Sequence, residues 1–136
     1  VPDEILRKRG PLDEREWEFI RQHTVVGERI LRASPALKDV SPLVRSSHEN
    51  WDGSGYPDGL AGEHIPVAAR IVRACNAYVA MTSDRPYRAA LPHEQAIAEV
   101  DLCRGSQFDP DVAGTFLEAI TEDRRERKDR GDPIPE

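Results

Sequence analysis

Hydrophobic positions along much of this chain recur at helical spacing, with charged residues between them. Trp17, Phe19, Ile20, His23, Gly27, Ile30 and Leu31 mark a first helix. Asp13, with Glu16 three residues on, forms a capping-box pattern after the Gly10-Pro11 breaker, and the helix is expected to stop between Ala33 and Pro35. A second helix starts after Pro35, or at Ser41 with Pro42 in the first turn, and carries Leu37, Val40, Val44 and His48 on one face. A third follows "PVAARIVRACNAYVAMTSD", with Val67, Ile71, Cys75 and Val79 as its apolar stripe. A fourth runs from about Pro92 to Cys103, and a last short one follows Gly105 with Val112, Phe116 and Ile120 inward. No stretch alternates with period two. The pattern predicts an all-α helical bundle over residues 1–120, followed over 121–136 by a charged tail that frays from the helix end into disorder.

Composition narrows what such a bundle can do. The 136 residues fit one domain. No run approaches the ~18 consecutive apolar residues of a membrane span, and no signal peptide opens the chain, so no membrane insertion is expected. Cys75 and Cys103 sit in apolar-periodic stretches and read as buried free thiols, which points to a cytoplasmic location. A formal net charge of -6 argues against DNA binding but leaves room for a small anion held by local arginines. The chain opens at Val1 in mid-phrase, "VPDEIL", and reads as a piece of a longer sequence.

The stretch "SSHENWDGSGYPDGL" breaks the helical pattern, because Gly53, Gly55, Pro57, Gly59 and Gly62 rule out regular structure. It is a structural turn, a phosphate-binding loop beside a metal site, or the remains of such a site. Asp52 before Gly53 suits an Asx turn, and Gly55 permits positive φ or close backbone approach. Tyr56, stiffened by Pro57, would project a hydroxyl suited to a phosphate oxygen. His23 and His48 lie on the apolar sides of neighbouring helices, where they meet at one metal or are each hydrogen-bonded to backbone. Arg85 and Arg88 in "SDRPYR" are phosphate-binding forks or solvated side chains. Glu49 and Asp52 orient neighbours, with a solvated role also open for Glu49. His64 reads as a surface residue, His93 as a locally bonded first-turn residue, and Trp17 and Trp51 as core or core-edge aromatics.

In order, "VPDEIL", "RQHTVVGERIL", "HENWDGSGYPDGLAGEHIPVAARIV", "TSDRPYR" and "GSQFDPDV" resemble the landmarks of the HD-GYP domain, a branch of the HD metal-dependent phosphohydrolases. The likeness runs from Val1 to about Ile120. It implies a bundle of the HD-domain type and, as family activity, hydrolysis of the bacterial messenger cyclic di-GMP at two or three metal ions, commonly iron or manganese. It assigns Tyr56, Arg85 and Arg88 to ligand and His23 and His48 to metal. Ser47 and Asn76 stand where the family places a histidine and an aspartate, and Val79 stands at a further aspartate position. The family's His-Asp pair would lie upstream of "VPDEIL", so its leading helices are missing here. Hydroxyl and amide are poorer ligands for a divalent cation than imidazole and carboxylate. The expectation is therefore an HD-GYP-type signalling domain with a degraded metal site, holding iron or manganese or no metal, and with no catalytic residue assigned. The alternative is a non-catalytic module for cyclic di-GMP, a related cyclic dinucleotide or a protein partner. Faces without their leading helices are expected to self-associate or to borrow a partner's helix.

Overall fold

A computed structural model describes residues 1–8, 10–84 and 88–133. A four-residue helix, α1 (Asp3–Leu6), forms ahead of the Gly10-Pro11 breaker, beyond the five helices read from the pattern. Helix α2 (Glu14–Arg32) begins as its capping box dictates. The Glu16 amide donates to Asp13 at 2.9 Å, and the Asp13 amide donates to the Glu16 carboxylate at 2.7 Å. After a 3₁₀ turn at Pro35–Leu37, helix α3 (Ser41–Arg45) starts with Pro42 in its first turn. It is short, and His48 lies beyond it in a turn rather than on a helix face. Gly27 lets α3 lie close along α2, since a Cβ there would stand 3.0 Å from Val44 Cγ1.

Helices α4 (Val67–Thr82), α5 (His93–Leu102) and α6 (Pro110–Arg130) pack on one another around Ala74, Val100, Phe108, Ala113 and Leu117. The buried side of α4 is not the predicted one. Ala69 and Ala74 are inside, whereas Val67, Ile71 and Val79 are 55%, 48% and 56% exposed. Small side chains let α4 approach its neighbours closely, so the alanines mark the packed face and the larger residues are left outside. Helix α2 departs from its predicted stripe too: Thr24 is its buried residue, while Phe19 and Ile30 are exposed. Cys75 and Cys103 are free but only half-buried.

Helix α6 also runs past the predicted end. The Thr121 hydroxyl donates to the Leu117 carbonyl at 2.7 Å, Arg127 pairs with Asp123 at 2.7 Å, and Gly131 closes the helix with φ 72°. Residues 121–130 are therefore helical without an apolar stripe, supported by their own charges. No helix among the described residues is long and apolar enough to cross a membrane.

The two groups of helices meet where α3 touches α4 and where the glycine-rich segment reaches the turn before α6. The Asp52 amide donates to the Ser106 carbonyl at 2.9 Å, and the Trp51 amide to the Gln107 carbonyl at 3.3 Å. Arg70 of α4 lies 5.7 Å from the Trp51 ring centre and pairs at 2.6 Å with Asp109, which caps α6.

Candidate functional site

The glycine-rich loop is held from inside by one carboxylate. Glu49 is 2% exposed and accepts the Asp58 amide at 2.7 Å and the Leu60 amide at 3.0 Å. Its solvated alternative is excluded. Arg45 grips the loop from outside, with two bonds of 2.7 Å to Asp58 and one of 2.8 Å to Glu28 of α2. Asp52 makes the Asx turn, accepting the Ser54 amide at 2.9 Å and hydroxyl at 2.6 Å, and that hydroxyl holds its carboxyl below the usual range. Gly55 is there for close approach: a Cβ would lie under 3.0 Å from Asn50 N, the His48 carbonyl and Glu49 Cα. The approach lets the Tyr56 amide donate to the His48 carbonyl at 3.2 Å. The Tyr56-Pro57 peptide is cis.

These constraints stack Tyr56 on His48, with ring centres 5.2 Å apart and planes 6° from parallel. His23 of α2 meets the His48 ring edge-on at 4.9 Å. The Ile20 carbonyl accepts from His23 Nδ1, which fixes the orientation of the His23 ring. Burial, aided by the nearby His23 and Arg73, drops the His48 pKa to about 4, so its imidazole is neutral at pH 7.

The two imidazoles meet here, with His23 also bonded to backbone, but the remaining donors do not join them. The Ser47 hydroxyl donates to the Val44 carbonyl at 2.8 Å, and Asn76 is exposed. Among the described residues, no group of three or more His, Cys, Asp or Glu side chains is placed to hold a metal ion. His23 and His48 alone do not fit a multinuclear centre.

Beside the rings lies an open cleft of about 520 Å³ between α2, the loop and α4. Trp17, Arg21, His48, Asn50, Tyr56 and Arg73 line it, and no carboxylate does. Arg21 pairs with Glu14 at 2.8 Å. Arg73 donates through Nε and Nη2 to the Asn50 side-chain oxygen, at 3.1 and 3.0 Å. Burial pushes the Tyr56 hydroxyl above its ordinary pKa, so it keeps its proton and can donate.

Of the residues the family likeness points to, Tyr56 and His48 line this cleft and His23 packs against both. Arg88 is exposed and donates to the Ala80 carbonyl of α4 at 2.7 Å, away from the lining residues. Arg85 lies outside the described residues. Arg21 and Arg73 carry no motif that singles them out, and Trp17, expected as a core or core-edge aromatic, is 41% exposed and walls the cleft. One signal for Arg73 was present: α4 contains no acidic residue, so its arginines have no partner one turn away. Arg70 finds Asp109 elsewhere in the fold, and Arg73 finds an amide. His93 is likewise more than a local first-turn residue; it is buried and bonds the Tyr78 hydroxyl at 2.6 Å between α5 and α4.

An all-α bundle that presents paired imidazoles beneath a rigid glycine-rich loop has the architecture of the HD class. A family model described as "HD domain" matches residues 1–112, and the chain belongs to that family. A cyclic di-GMP phosphodiesterase of Thermotoga maritima is 40% identical over 134 residues, covering 95% of this chain and 36% of that protein. A cyclic di-GMP phosphodiesterase response regulator of Xanthomonas campestris is 41% identical over 119 residues, covering 86% of this chain and 32% of that protein. A 3'3'-cGAMP-specific phosphodiesterase of Vibrio cholerae is 33% identical over 120 residues, covering 88% and 26%. The chain thus spans about a third or less of the length of these relatives. A solved structure of a cyclic GMP-AMP-specific phosphodiesterase of V. cholerae superposes with a TM-score of 0.67 at 23% identity, over 84% of this chain and 26% of that one. That likeness shows the fold. The HD-type bundle expected from the motifs is the observed one.

Proposed function

We propose that this domain binds a cyclic dinucleotide in the cleft between α2, the loop and α4, and that it holds the ligand without hydrolysing it. The observation that carries this reading is electrostatic. In a chain of net charge -6, the cleft is lined by two guanidinium groups and no carboxylate. A phosphodiester is the complementary group. Tyr56 adds a neutral donor, and the exposed indole of Trp17 provides a face on which a base can stack. The cleft volume falls in the ordinary range for small-ligand sites. The relatives support the ligand class, since those named above act on cyclic di-GMP or 3'3'-cGAMP. Hydrolysis by HD-domain phosphodiesterases needs metal, and among the described residues only His23 and His48 come together as donors for iron or manganese, which supports binding without turnover.

Calorimetric titration of cyclic di-GMP and 3'3'-cGAMP, with EDTA and separately with manganese or ferrous iron, tests the proposal. Saturable binding with no linear dinucleotide produced is the expected result. Metal-dependent turnover, with two or more ions retained per chain through desalting, would restore the enzyme. Absence of binding under every condition would remove the dinucleotide.

A further inference from the structure

Arg73 is the one cation of the cleft left without a countercharge. It is half-buried, it makes no ion pair among the described residues, and its nearest acceptor is a neutral amide oxygen. Removing a guanidinium from water without a carboxylate is costly, and an arriving anion would relieve that cost. The group is also aimed. The Asp52 carboxylate accepts from the Ser54 hydroxyl at 2.6 Å, and that hydroxyl accepts from the Asn50 amide nitrogen at 3.1 Å. The Asn50 oxygen in turn accepts from Arg73. The loop's polar side chains thus form a relay from its Asx turn to the guanidinium. Asn50 takes a bond from Nε and one from Nη2, which leaves three of the five N–H donors for a ligand.

We infer that Arg73 is the phosphate anchor of this cleft, a fixed cation oriented by Asn50, Ser54 and Asp52, which holds a phosphodiester without a metal ion. The guanidinium fork binds phosphate oxygens two at a time, a geometry that needs no coordination shell. The anion site stands on these contacts, while the dinucleotide as its ligand rests on the proposed function.

The test uses the whole chain in EDTA, with inorganic phosphate and cyclic di-GMP as separate probes followed by ¹⁵N NMR. Phosphate should move the Arg73 Nε–H and the Gly55 and Tyr56 amide signals saturably. Arg73→Gln should weaken it by about tenfold or more, and Arg73→Lys by less. Ser54→Ala, which cuts the relay and spares Arg73, should cost a few-fold and keeps the inference testable if Arg73→Gln does not fold. Equal phosphate affinity in the wild type and a folded Arg73→Gln variant would overturn the anchor, as would phosphate binding that appears only with manganese. If phosphate binds through Arg73 but cyclic di-GMP does not bind, the anchor stands and the dinucleotide falls. If cyclic di-GMP binds the wild type and Arg73→Gln equally, the anchor falls and the proposed function survives.

Discussion

Helices α4 to α6 and the α2–α3–loop region are held together by different physics. In the first, Ala74, Val100, Phe108, Ala113 and Leu117 form a dry apolar cluster, so stability is spread over many weak contacts. The second contributes no residue to that cluster, and its shape comes from a few polar side chains. Glu49 holds two loop amides, and Arg45 ties Asp58 to Glu28. A loop organised this way has little tolerance in geometry, because each hydrogen bond has one donor and one acceptor. The face that carries the cleft is thus the directionally specified one, and the other half is the scaffold that fixes α4 beneath it.

The contrast breaks if a core truncation is cheap. Phe108→Ala, at a side chain 2% exposed, should cost about 3–5 kcal/mol in urea unfolding. Less than about 1 kcal/mol would mean the cluster is not what stabilises the second half. Next in size, Glu49→Ala strands the Asp58 and Leu60 amides and should cost about 2–3 kcal/mol. Hydrogen exchange should speed at those two amides while those around Val100 keep their protection. Uniform loss across the chain would show that the two regions unfold as one.

Gly55→Ala forces a methyl group into the His48–Asn50 backbone and should cost about 1–3 kcal/mol. Ligand affinity should fall further than stability, because Tyr56 moves with the loop. A pH-dependent effect is expected from His48 protonation. Its folded pKa of about 4 lies below the ordinary 6.5, so the unfolded chain takes up the proton first as pH falls. The stability linked to this group is therefore complete above pH 6.5 and declines as pH drops toward 4. Thermal melts across that window should show the decline in the wild type and a smaller one in His48→Gln; equal slopes would sink the assignment.

Much of the fold was legible because its signals are local. The Asp13–Glu16 capping box, the Pro35 and Pro42 breaks and the Asp52 Asx turn each involve residues within a few positions, and all form as read. The meeting of His23 and His48 was legible as well, since both sit on helix-proximal positions that the family motif aligns. The inward face of α4 was not. Periodicity counts Val67, Ile71 and Val79 as core by hydrophobicity, whereas close helix packing selects the alanines.

By itself, then, the sequence determined the all-α class, the capped start of α2 and the glycine-rich break before α4, all through interactions a turn or two in reach. Only the tertiary structure decided that Trp17 faces the cleft, that Glu49 is buried, and that Arg73 meets Asn50. That last pair lies 23 residues apart, and only packing of the bundle brings them together. Whether a charge is paired or left open to a ligand depends on which distant groups the fold brings to it, and no local pattern encodes that.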